Sequence, residues 1–327
     1  MRTASGWELP PDKAALMRRA VRLEWLSVAY LISAVFFIYL TLGSSQAMKT
    51  AWFEDILSLI PAIMFLVASR VRHRPPNDRY PYGYHRAVTV AFLCAALALF
   101  LMGVFLLYDA VTALLAFEHP TIGTVVVLGR QVWLGWLMIP ALLWSAIPAL
   151  ILGRIKLPLA RRLHDKVLYA DAKMNKADWL TAGAATVGVL GIGIGWWWAD
   201  AVAAALISTD ILHDGFVNVR AVAADLLSSR PTTVDHAAVE GLPERIRNQL
   251  LALHWVVDAD VRMREEGHVF FGEAFVLARD DRDLTAKINR AASDLLGQDW
   301  RLQDLVIMPV TSGAEDGGEH RHTKAQP

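Results

Sequence analysis

The chain has 327 residues, 55% of them hydrophobic, a mean hydropathy of +0.35 and no formal net charge. Its charged residues are packed into gaps between long apolar runs, which marks an integral membrane protein and leaves no basic surface for nucleic acid. Cys94 is the only cysteine, so neither a disulfide nor a thiolate metal cluster can form within one chain.

In chain order, residues 1–22 form a cytoplasmic N-terminal segment, with Glu8 and Asp12 ahead of Lys13, Arg18 and Arg19 and no cleavage site of small residues after the first apolar run. Residues 23–230 hold six predicted spans, near 23–43, 50–70, 87–115, 132–153, 170–198 and 200–220, each close to the roughly 20 residues that cross a bilayer. The last is the weakest, because it contains Asp210, His213 and Asp214. Lys and Arg crowd into alternate connections: Arg18, Arg19 and Arg22; Arg70, Arg72, Arg74 and Arg79; Arg154, Lys156, Arg161, Arg162 and Lys166. The positive-inside rule then places both termini in the cytoplasm, and Trp52, Trp133, Trp136 and Trp196–Trp198 form an aromatic belt at the opposite surface. The basic loops can also hold anionic lipid headgroups. A bacterial inner membrane is the expected location.

The second predicted span places Glu54 and Asp55 one to two turns inside an apolar run, with Ser58 one turn on from both. Packing alone does not require acids there, and intramembrane carboxylates usually face a partner, a cavity or a substrate. In the fifth span, Asp171, Met174, Asn175 and Asp178 share one helical face while Lys173 and Lys176 fall on the other. Two readings stand: an ion path, or a solvated helix start with Asp171 near the positive end of the dipole. In the sixth span Asp210, His213 and Asp214 share a face about 15 Å below Asp200, at 1.5 Å per residue.

After Arg230-Pro231 a small soluble domain is expected over 231–311. Its predicted elements are a helix at 242–253, strands at 255–264 and 269–278 joined by a turn at Glu265-Glu266-Gly267, a helix at 283–296 and a strand at 301–309. The order α-β-β-α-β suggests a ferredoxin-like fold. Residues 312–327, with His320 and His322, lack periodicity and read as a disordered tail.

Between the second and third spans runs Arg74-Pro75-Pro76-Asn77-Asp78-Arg79-Tyr80-Pro81-Tyr82-Gly83-Tyr84-His85-Arg86. This is similar to a loop of the cation diffusion facilitator family, usually Arg-Pro-Pro-Asp and then His-Pro-Tyr-Gly-His-Gly-Arg. Asp171-Ala172-Lys173-Met174-Asn175-Lys176-Ala177-Asp178 resembles that family's fifth-span Asp-Ala-Leu-His-x-x-x-Asp. With six spans and a ferredoxin-like tail, the resemblance covers about 20–310. It implies a homodimeric divalent-metal/proton antiporter working by alternating access, with no cofactor and no enzymatic role.

The resemblance further implies a transport site between the second and fifth spans, at Glu54 and Ser58 and at Met174 and Asp178, with Asp55 as a supplementary oxygen. Carboxylates and a hydroxyl favour harder ions such as Mn²⁺ or Fe²⁺, a thioether favours softer ones, and loss of an imidazole weakens the argument for zinc. Manganese, iron and cobalt therefore lead, with zinc behind them. Asp171, Asn175, Asp210, His213 and Asp214 are candidates for a second ion or proton site, or the sixth-span trio for a dimer-interface network. Arg86 and Asp225 are the expected charge lock on the cytoplasmic side. Asn77, Tyr80 and Tyr84, and Leu305-Val306-Ile307-Met308-Pro309, stand where relatives carry peripheral metal ligands. Because each family site is altered, a transport-inactive membrane dimer is the alternative function, and a membrane metalloenzyme is a third class for which no activated nucleophile is visible.

Overall fold

A computed structural model describes residues 9–311 apart from 73, 75, 118, 120, 121, 128, 236 and 268. Side chains at 91, 95, 98, 127, 176–178 and 180 lie outside the described set, as does the predicted tail 312–327 with His320 and His322. Among the described residues, six long helices precede a small mixed domain: α1 (Pro11–Thr41), α2 (Gln46–Val71), α3 (His85–Leu115), α4 (Gly135–Leu163), α5 (Lys166–Gly193) and α6 (Ala199–Leu226). Pro11 starts α1, where a missing N–H costs nothing, so half of the predicted N-terminal segment is the first three turns of that helix.

Five of the six helices are long and apolar enough to cross a membrane. The exception is α5, in which only Thr181–Gly193 forms a purely apolar stretch. The weakest span is thus the fifth and not the sixth. Charge in the cassette 171–178 lowers its hydropathy, and two of those polar side chains, Asp171 and Asn175, are buried against other helices. Because Asp165 caps α5 by accepting from the Leu168 N–H at 3.0 Å, the cassette begins more than a turn inside the helix. A solvated helix start is therefore excluded for Asp171, which is 1% exposed.

Helix α6 packs most extensively on α3. A Cβ at Gly103 would come within 2.7 Å of the Leu212 backbone, and one at Gly215 within 2.7 Å of the Phe100 backbone, so these glycines permit close helix contact. At the other end of α6, buried Asp200 accepts from Ser45 Oγ at 2.6 Å, from the Ala47 N–H at 3.2 Å and from the Gln46 N–H. A carboxylate on the first N–H groups of α2 satisfies orphan donors and complements the helix dipole. It also fixes α6 beside α2. Between α3 and α4 a two-stranded hairpin, β1 (Thr124–Val127) and β2 (Arg130–Trp133), occupies a segment expected as plain connection.

The C-terminal domain runs α7 (Leu242–Leu251), β3 (Val256–Glu266), β4 (Val269–Ala278), α8 (Leu284–Leu296) and β5 (Leu302–Val310). Strand order is β3-β4-β5, with β3 antiparallel and β5 parallel to β4. Leu242, Ile246, Leu250, Phe270, Val276 and Leu302 build its core. The predicted α-β-β-α-β order and its boundaries agree to within two residues at most element ends.

The β3–β4 tip docks near the start of α3, the start of α5 and the end of α6. Gly267, at φ +70°, sits where a Cβ would lie 3.2 Å from the His85 carbonyl, so this position favours glycine twice over. Glu266 meets Arg86 at 3.1 Å, Glu265 meets Lys166 at 2.9 Å, and Lys166 also reaches Asp225 at 3.4 Å. The expected Arg86–Asp225 lock is therefore corrected to a two-part lock, with Lys166 serving Asp225 and Arg86 serving the hairpin. The hairpin tip brings two acids that compete for the same cations, a tertiary effect that spacing along the helices does not reveal.

Burial alone would raise the Glu265 carboxyl, but contact with His164 Nε2 at 3.6 Å and the Lys166 charge outweigh it and hold the group below its ordinary value. Its contribution to docking is thus complete above the ordinary glutamate pKa of about 4.3 and is lost only as pH falls through the depressed value. Glu265→Gln is expected to loosen the tip at neutral pH, seen as faster amide exchange across β3, β4 and the first turn of α5. Exchange unchanged from wild type would mean that backbone packing at Gly267 holds the tip unaided.

Candidate metal site

Helices α2 and α5 run antiparallel, and two polar contacts tie them. Thr181 Oγ1 donates to Glu54 Oε1 at 3.0 Å, and Ser58 Oγ lies 3.5 Å from Met174 Sδ. The backbone of Asp178 lies in α5 between Met174 and Thr181, one turn from each, while its side chain falls outside the described residues. Three of the predicted ligands, Glu54, Ser58 and Met174, thus stand together.

Asp55 does not join them. One residue along a helix is a turn of about 100°, and Asp55 faces α4, where Ser145 Oγ donates to its Oδ1 at 2.7 Å. Its proposed role as a supplementary oxygen is corrected on that ground. The further acids at this contact come from α6. Glu54, Ser58, Leu99, Met174, Asp210, Ile211 and Asp214 line one cleft, so α6 adds two carboxylates to the α2–α5 contact. His213, on the same helix, is not among the lining residues; it is exposed. The space at the centre of the cleft is about 10 Å³, the room of roughly one water molecule.

Among the described residues, no three His, Cys, Asp or Glu stand close enough to hold a metal ion together. The cleft is an open arrangement lined by three carboxylates, a hydroxyl and a thioether. A family model described as the cation efflux transmembrane domain matches residues 24–227. The chain belongs to the cation efflux family. It is accordingly a membrane protein of a transporter family and not an enzyme.

Similar relatives of this cation efflux protein include the manganese efflux system protein MneS of Bacillus subtilis (strain 168), 26% identical over 55% of this chain and 58% of the relative. The manganese efflux system protein MneP of the same organism is 22% identical over 84% of this chain and 88% of its own length. The magnetosome protein MamB of Magnetospirillum gryphiswaldense (strain DSM 6361 / JCM 21280 / NBRC 15271 / MSR-1) is 23% identical over 50% of this chain and 51% of its own length. The match spans less than two thirds of the length of MneS and of MamB.

Within this family member, Asp171 and Asn175 turn away from the cleft. Lys156 Nζ of α4 donates to Asp171 Oδ2 at 2.6 Å and to Glu24 Oε2 of α1 at 2.9 Å, and Asn175 Nδ2 donates to Asp171 Oδ2 at 3.1 Å. The predicted secondary site therefore separates into two places, Asp210 and Asp214 in the cleft and Asp171 and Asn175 in a buried cluster. Glu24 and Lys156 were missed. Lys156 reads in sequence as one more basic loop residue, and only the continuation of α4 to Leu163 turns it inward. Asp109, near the far end of α3, pairs with Lys49 at 2.7 Å. Asn77 Nδ2 donates to Tyr84 Oη at 2.8 Å while its Oδ1 accepts from the Tyr80 N–H, so these loop positions brace a turn.

Proposed function

We propose that the protein exports a divalent metal cation, with Mn²⁺ as the first candidate. The observation that carries this reading is the cleft that Glu54, Asp210 and Asp214 line together with Ser58 and Met174. Carboxylate and hydroxyl oxygens suit Mn²⁺ and Fe²⁺ better than zinc, whose usual sites rely on imidazole and thiolate. Two relatives are named for manganese efflux, which supports the same ion. Asp178 completes the ligand set from its position one turn beyond Met174.

The cation enters from the cytoplasm, and its binding requires deprotonated oxygens, so affinity falls as those oxygens protonate. Alternating access in a homodimer, with proton exchange, fits a site lodged between helices that can rock against one another. In this reading α5 also crosses the membrane, which makes six spans, both termini face the cytoplasm of a bacterial cell, and the C-terminal domain is a ferredoxin-like dimerisation module. The decisive test is uptake of Mn²⁺, Fe²⁺, Co²⁺, Zn²⁺ and Cd²⁺ into proteoliposomes with a pH-sensitive dye inside. Mn²⁺ uptake with a matching change in luminal pH is expected. Failure to move any of the five ions would sink the transport reading in favour of a structural dimer.

A further inference from the structure

Away from the cleft, Glu24 on α1, Lys156 on α4 and Asp171 on α5 meet with at most 1% of each residue exposed. One ammonium serves both acids, at 2.9 and 2.6 Å, so the two carboxyls meet across it. With both acids ionised the cluster would carry one uncompensated negative charge in apolar surroundings, which is costly. One added proton brings the sum of ammonium, carboxylate and carboxylic acid to zero. Glu24 Oε1 and Asn175 Oδ1 are both buried and without a hydrogen-bond partner, so the cluster has acceptor sites to spare for it. Lys156 and Asp171 are the charged groups that act on Glu24. The neighbouring buried cation from α2, Arg72, is turned to Asp165 at 3.5 Å and to the Met17 sulfur at 2.6 Å.

We propose that Glu24 and Asp171 share one exchangeable proton over Lys156, and that movement of α5 with the transported cation releases and recaptures it. This rests on reading the cleft as the cation site. Helix α5 carries Met174 into the cleft and Asp171 and Asn175 into the cluster, so a shift that opens or closes the cleft also alters the Asp171–Lys156 contact. When Asp171 withdraws as a carboxylate, protonated Glu24 beside Lys156 is left with one excess positive charge. The Glu24 O–H bond then breaks, the proton passes to water, and a neutral carboxylate–ammonium pair remains. Return of Asp171 takes a proton back. Met174 has no titratable group, and this cluster supplies one next to it on the same helix.

The test uses full-length protein in liposomes, with infrared detection of the carbonyl stretch of protonated carboxyls and a luminal pH dye. Glu24→Gln and Asp171→Asn each leave one carboxylate with one ammonium, neutral without a proton, so both variants should fold. Each is expected to lose one carboxylic-acid signal, to lose the change in that signal that Mn²⁺ causes in wild type, and to move one proton fewer per Mn²⁺ at near wild-type Mn²⁺ affinity. A signal identical to wild type in both variants overturns the shared proton. Loss of the signal with an unchanged proton count overturns its release. Absence of Mn²⁺ flux in wild type would count against the transport reading, and the infrared response to Mn²⁺ still decides the proton.

Discussion

Glu54→Gln is expected to weaken Mn²⁺ binding at least about tenfold, equivalent to 1.4 kcal/mol, and to reduce flux in proportion, while Asp55→Asn leaves binding near wild type. The substitution removes a charge and keeps the shape. A glutamine carbonyl can still accept the Thr181 hydrogen bond that Glu54 accepts at 3.0 Å, so the α2–α5 contact survives and the loss reports on ion binding. Asp214→Asn should behave as Glu54→Gln does, because Asp214 lines the same cleft. Asp55 is the internal control: adjacent in sequence, equally acidic, but bonded to Ser145 on α4. Isothermal titration with Mn²⁺ on the three purified variants separates the cases. If Asp55→Asn were the damaging change and Glu54→Gln were silent, the cleft would be the wrong site.

That pair of neighbours also shows how far the sequence could be read. Two acids inside an apolar run were legible as groups that need a partner or an ion, yet which one faced α5 depended on helix rotation. Ser58 and Met174 fell into place because a local motif carried the register. Asp210 and Asp214 were legible as an intramembrane pair, but their arrival at Met174 depends on the close α3–α6 and α2–α6 packing that Gly103, Gly215 and the Asp200 cap allow. The elements of the C-terminal domain were legible to within two residues, its first helix placing Leu242, Ile246 and Leu250 on one buried face. Its docking was not, since Glu265 and Glu266 look like ordinary turn acids until Lys166 and Arg86 meet them. Helical spacing puts Asp171, Met174, Asn175 and Asp178 of the cassette 171–178 on one face. Tertiary packing divides it, with Met174 to the cleft and Asp171 and Asn175 to Lys156.

Lys156→Met should destabilise the fold by about 3–5 kcal/mol, the usual cost of removing one partner from a buried ion pair. Lys156 is 0% exposed and holds two carboxylates from two other helices. Deleting the cation leaves one buried negative charge on Glu24 and Asp171 without compensation, so the pair must take up a further proton or α1 and α5 must separate from α4. The same reasoning gives the rescue. Combining Lys156→Met with Glu24→Gln and Asp171→Asn removes every charge at once and should recover most of the loss, since neutral replacement of a whole buried ionic cluster is commonly tolerated. Asn175 can then donate to the new amide oxygen in place of the Asp171 oxygen it now holds at 3.1 Å. Thermal unfolding in detergent, followed through tryptophan fluorescence, reads both steps. A single Lys156 substitution that unfolds at the wild-type temperature would show that the cluster contributes nothing to holding α1, α4 and α5 together, and equal loss in the triple variant would place the damage in packing and not in charge.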